Sequence, residues 1–131
     1  MLLTEIDHVG IAVRNLEMAI DWYRRSFGAE VVHRETIEHD GVEEALIRVA
    51  ESYIQLLSPV TKDSPVSRYL TKHGEGIHHI AYRVSNCALV LDELRAAGIS
   101  LVDEVPRPGS RNTTVAFIQP VFGHLVELVE E

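Results

Sequence analysis

Residues 6–13 read IDHVGIAV and residues 77–84 read IHHIAYRV, two strand-like strings that superpose His8 on His79. Farther along, SYIQLL (residues 52–57) superposes on HLVELV (residues 124–129) and places Gln55 on Glu127. The two separations differ by a single residue over more than half the chain, the mark of an internal duplication. Two imidazoles, an amide oxygen and a carboxylate make a mixed nitrogen and oxygen set, suited to cobalt, manganese, nickel or zinc. One histidine on a half-buried strand is ordinarily a hydrogen-bonded core residue. Two in register, each accompanied by a Gln or Glu in register, form the pattern of a metal site.

Working outward, period-two alternation over residues 5–13 predicts a strand, and Asn15 before Leu16 predicts a helix N-cap. The helix is expected over Leu16–Phe27, with Leu16, Ile20, Tyr23 and Phe27 as its apolar stripe and Gly28 at the left-handed position after it. Trp22 and Tyr23 read as core. A twin helix begins after Asn86, with Val90, Leu91, Leu94 and Ala97 in the stripe and Gly98 closing it. Three strands are expected after each helix: residues 30–38, 43–50 and 53–58 in the first half, and about 100–104, 113–118 and 125–130 in the second. Ser64-Pro65 opens a short linker helix through Lys72. The fold class is therefore α+β: two tandem βαβββ modules forming a curved open-barrel sheet around a metal site. All 131 residues make one domain, with module 1 at about 1–58, the linker at about 59–76 and module 2 at about 77–131.

Composition excludes several partner classes. A net charge of −8, from 20 acidic and 12 Lys or Arg residues, repels phosphate backbones and argues against nucleic acid. No apolar run approaches the roughly 20 residues needed to cross a bilayer, and the first residues lack the basic and apolar regions of a signal peptide. The expectation is a cytoplasmic protein with no membrane partner. The single cysteine, Cys87, cannot form an internal disulfide and reads as a structural, semi-buried thiol.

The segments DHVGIAV, DGVEEALI, YIQLLSP, DSPVSRYLTKHGEGIHHIAYRV and LVEL, which span essentially the whole chain, resemble the vicinal oxygen chelate superfamily. Within it they are most similar to the methylmalonyl-CoA epimerase family, above all through the long block ending in the paired histidines. The resemblance implies a divalent metal, cobalt foremost, held by His8, Gln55, His79 and Glu127. The repeat itself selects His79 over His78, because His78 aligns with Asp7. The resemblance also implies Glu44 as an acid/base residue, with Glu127 as the second. Glu43 remains the alternative, since a one-residue slip turns a strand side chain to the opposite face. In so acidic a stretch, solvated surface charge competes with catalysis as the reading of Glu44. The segment QPVFGH and the loop PRPGSRNTT depart from the family pattern, and both fall where a substrate could touch.

What the resemblance implies chemically is epimerisation of (R)- and (S)-methylmalonyl-CoA by two-base proton transfer through a metal-stabilised enolate, in a homodimer whose sites are each completed within one chain. A polyanionic acyl-CoA would need a local basic patch, for which Lys62, Arg68, Lys72, Arg107 and Arg111 are candidates. Glyoxalase I (lactoylglutathione lyase) is the alternative enzyme. A metal-free small-molecule-binding or resistance protein of the same fold is the alternative class. An extradiol dioxygenase fits less well, because a fourth protein ligand would occupy the position oxygen needs.

Overall fold

The computed structural model describes residues 1–131. In chain order the elements are β1 (Glu5–Ala12), α1 (Leu16–Phe27), β2 (Val31–Ile37), β3 (Val42–Val49), β4 (Ser52–Pro59), α2 (Pro65–His73), β5 (Gly76–Arg83), α3 (Cys87–Ala96), β6 (Arg107–Pro108), β7 (Thr114–Val121) and β8 (His124–Glu130). The chain divides into two units, residues 9–78 in one and residues 1–8 with 79–131 in the other.

In the unit of residues 9–78 the strand order is β2-β3-β4-β1. Asn15 starts α1 as expected, its side chain accepting from the Met18 N–H at 3.0 Å. Gly28 ends it at φ 67°, a left-handed conformation that costs glycine nothing. Strands β3 and β4 pair antiparallel without a break from Val42↔Pro59 to Val49↔Ser52. Alternation then sorts their side chains. Ala45, Ile47 and Leu56 pack with Leu16 and Ile20 of α1, which leaves Glu44, Leu46, Gln55 and Leu57 on the face turned away from that helix. Leu57 and Val42 there meet Val66 and Leu70 of α2. The linker helix opens as expected, the Ser64 hydroxyl accepting from the Ser67 N–H at 3.1 Å.

The other unit has the order β5-β8-β7-β6. Its β5 and β8 are parallel, from His79↔Leu125 to Arg83↔Val129. Helix α3 covers one face through Val84, Cys87, Val90, Leu91, Ala116 and Leu128. Its N-cap is Asn86, which accepts from the Leu89 N–H at 3.0 Å. Cys87, expected to be a semi-buried structural thiol, is fully buried, and burial, reinforced by nearby carboxylates, pushes its pKa up to about 11. Leu56 and Leu128 occupy equivalent places in the repeat and are almost fully buried. Leu56→Ala and Leu128→Ala are each expected to cost about 2–5 kcal/mol, read as a lower thermal unfolding midpoint.

Several expectations fail, among them Ala97, which follows α3 and is exposed rather than part of its apolar stripe. Residues 100–104 do not form a strand: only Leu101 bridges to Ile118. There the Asp103 carboxylate accepts the Phe117 N–H at 2.8 Å, so a side chain takes the place of a strand carbonyl. The short β6 then supplies the pairing with β7. Trp22 and Phe27 are 51% and 72% exposed rather than core. Leu16 and Ile20, flanked by Ala19 and Tyr23, make the α1 contact with the core, and Trp22 and Phe27 instead meet edge to face at 5.6 Å.

Candidate metal centre and active site

Three ligand-type side chains converge in the unit of residues 1–8 and 79–131. His8 comes from β1, His79 from β5 and Glu127 from β8, and all three are buried. The parallel register sets Ala81 opposite Glu127, with His79 two residues earlier on the same face. The alanine methyl adds little bulk beside the carboxylate. The Nε2 atoms of His8 and His79 lie 2.9 Å apart. Glu127 Oε1 lies 3.0 Å from the first and 3.2 Å from the second.

At those distances Glu127 Oε1 still makes no aligned hydrogen bond. A buried acceptor in that condition is costly. A bound cation would relieve that cost, and two imidazole nitrogens and a carboxylate oxygen lying 2.9–3.2 Å from one another make a donor set suited to a divalent ion. The residues therefore fit a divalent metal. Burial opposes charge on His8, but the hydrogen bond to Asp7 and the close carboxylate of Glu127 outweigh it and raise its pKa to about 9. At His79 burial prevails and the pKa falls. Burial would also raise the Glu127 carboxyl, yet its contacts with His79 and His8 hold it well below the usual carboxylate range. Glu127 is thus the anion among two basic rings.

Behind His8 lies a second group that sequence reasoning did not select. Asp7 is 0% exposed, and its Oδ2 accepts from His8 Nδ1 at 2.7 Å and from Arg111 Nη2 at 2.8 Å. Its Oδ1 accepts from Arg83 Nε at 2.8 Å. Burial would raise the Asp7 carboxyl, but these partners bring it down to about 2. The available signal was the mismatch directly before the two histidines of the opening strings, Asp7 against His78. Arg111 was a candidate for acyl-CoA contact, and its guanidinium lies instead on Asp7.

In the unit of residues 9–78, Glu44 and Gln55 are brought together. Glu44 pairs across the ladder with Leu57, so Gln55 is its diagonal neighbour on the same face. Gln55 Nε2 donates to Glu44 Oε1 at 3.2 Å, while Gln55 Oε1 is buried without a hydrogen bond. Glu44 is 0% exposed, which removes the solvated-surface reading. Glu43 lies on the α1 face and pairs with Arg34 at 2.7 Å. His78 faces Tyr69, ring against ring at 5.0 Å. His33 pairs with Glu35 and His124 with a backbone carbonyl.

A family profile described as the Glyoxalase/Bleomycin resistance protein/Dioxygenase superfamily matches residues 7–117. The chain belongs to this superfamily. Among superfamily relatives, an ethylmalonyl-CoA/methylmalonyl-CoA epimerase from Cereibacter sphaeroides is 35% identical over 131 residues, covering 97% of this chain and 98% of the relative. The crystal structure of methylmalonyl-CoA epimerase from Mycobacterium tuberculosis superposes with a TM-score of 0.93 at 41% identity, over 98% of this chain and 89% of that one. A Streptomyces coelicolor methylmalonyl-CoA epimerase variant in complex with 2-nitronate-propionyl-CoA gives 0.94 at 37% identity, over 98% of both chains. The α+β fold expected from the repeat is the fold of these superfamily members. None of the helices is long and apolar enough to cross a membrane.

Proposed function

We propose that this superfamily member epimerises methylmalonyl-CoA, moving the proton on the carbon between the thioester and the carboxylate. The observation that carries this reading is Glu44, a fully buried carboxylate beside Gln55. Burying a carboxylate costs several kcal/mol, and the full-length likeness to methylmalonyl-CoA epimerases supplies a use for it.

Inversion at carbon requires removing a proton from one side of the substrate and returning one to the other. Glu44 and Glu127 are the two carboxylates assigned to those steps, each contributing about 10²- to 10⁴-fold in rate. Gln55, donating to Glu44, fixes the direction of its carboxylate. His8, His79 and Glu127 would hold the metal, with Gln55 as fourth ligand through its unbonded amide oxygen. A bound divalent ion would supply Lewis-acid stabilisation for the negative charge that develops on substrate oxygen. Cobalt is the ion proposed, in a homodimeric cytoplasmic enzyme.

Deuterium uptake at the α-carbon of methylmalonyl-CoA in deuterated buffer tests the reading. Chelator-treated protein is expected to fall to background and to recover on adding cobalt, in preference to manganese, nickel or zinc. Full exchange by the metal-free protein would overturn the metal assignment. No exchange, together with lactoylglutathione formation from methylglyoxal and glutathione, would replace the epimerase reading with glyoxalase I.

A further inference from the structure

We infer that Asp7 is a positioning residue of the metal centre, one that fixes the His8 ring so that Nε2 is the ligand atom, with Arg83 and Arg111 holding Asp7 in place as a carboxylate. The inference rests on the metal reading above and extends it to residues that contact no substrate. An ionised carboxylate only accepts hydrogen bonds, so the 2.7 Å contact obliges His8 Nδ1 to carry the proton. The other ring nitrogen is then the one with a lone pair to give, and it is the one that faces His79 and Glu127. A carboxylate behind a ligating imidazole fixes its tautomer and orientation and increases its basicity.

Asp7 could not do this alone, because an unpaired buried carboxylate would protonate or leave its place. Each oxygen is held by a guanidinium, Oδ1 by Arg83 and Oδ2 by Arg111, both at 2.8 Å. Arg83 lies on β5, four residues beyond His79, so the strand that carries one histidine also steadies the other. Arg111 comes from the loop at residues 110–112 and has a left-handed backbone, φ 56°, as does Asn112 at 58°. Such conformations are uncommon outside glycine, and here they accompany a guanidinium turned onto a buried carboxylate. The duplication accounts for the asymmetry. The residue before the second ligand is His78, engaged with Tyr69, so the carboxylate support belongs to His8 alone.

The test measures Co²⁺ binding by calorimetry for the wild-type protein, Asp7→Asn and Arg111→Gln, together with thermal melting of each. Asp7→Asn is expected to weaken Co²⁺ binding by about 10- to 100-fold, and Arg111→Gln by less because Arg83 remains. Wild-type affinity in a folded Asp7→Asn protein would overturn the inference. A second measurement does not depend on how the variants fold. Nitrogen-15 NMR of the zinc-loaded wild type should show His8 bonded to metal through Nε2 with a proton on Nδ1. Coordination through Nδ1 would overturn the inference and leave the metal reading intact. Absence of metal binding by the wild type would overturn both.

Discussion

Glu44→Gln is expected to slow epimerisation of methylmalonyl-CoA by about 10²- to 10⁴-fold with little change in fold. Glutamine has nearly the same shape, and its amide oxygen can still accept from Gln55 Nε2, the bond that glutamate makes at 3.2 Å. What it cannot do is take a proton from carbon. Two-base chemistry makes a sharper demand than loss of rate. With Glu127 intact, the epimer whose α-proton faces that residue should still exchange with solvent and keep its configuration, whereas the other epimer should not exchange. Following each epimer separately by NMR in deuterated buffer distinguishes this from general damage. Wild-type inversion rates in Glu44→Gln, or equal residual exchange from both epimers, would refute the assignment. Glu43→Gln is the matched control. Its carboxylate lies on the α1 face against Arg34, so epimerisation should be unaffected and only a surface ion pair is lost, worth about 0–1 kcal/mol.

The choice between Glu43 and Glu44 shows where reading the sequence stopped. Alternation says that neighbouring strand residues face opposite ways, but two identical residues in succession give no clue to the phase. The phase came from pairing: the β3–β4 register puts Glu44 on the face of Gln55, and Gln55 had been singled out by the duplication. His8, His79 and Glu127 were legible because a repeat marks positions that share an environment, and each repeats in register. Both helix caps, Asn15 and Asn86, were legible for the same reason. The contact between Asp7 and Arg111 was hidden because they are 104 residues apart and the repeat puts a histidine, not a second carboxylate, at the place of Asp7. The missing strand at residues 100–104 has a related cause. Asp103 satisfies Phe117 with its side chain, a substitution of carboxylate for peptide that no alternation of polar and apolar residues announces. Repeated features were readable along the chain, and features that depend on one unrepeated contact became visible only in space.

The second large effect is expected at Glu127, the sole carboxylate in the converging triad. Glu127→Gln should abolish stoichiometric Co²⁺ binding in calorimetry and reduce epimerisation to background. The loss in affinity should exceed the about 10- to 100-fold typical of removing a supporting partner, because the substitution removes the charge that offsets the dication. His8 and His79 alone would offer two neutral nitrogens 2.9 Å apart with no anion between them. The metal-free protein should tolerate the change. An amide keeps the volume, Leu128 and Val129 beside it still fill their core positions, and the side chain can donate to an imidazole nitrogen where Glu127 Oε1 made no aligned hydrogen bond. Circular dichroism and thermal melting of the chelated variant are therefore expected to match those of the chelated wild type, while only the wild type gains stability when Co²⁺ is added, as mass action requires of a ligand that binds the folded state. A Glu127→Gln protein that binds one equivalent of Co²⁺ with wild-type affinity would remove Glu127 from the metal site and, with it, the structural reason for pairing this residue with Glu44 in proton transfer.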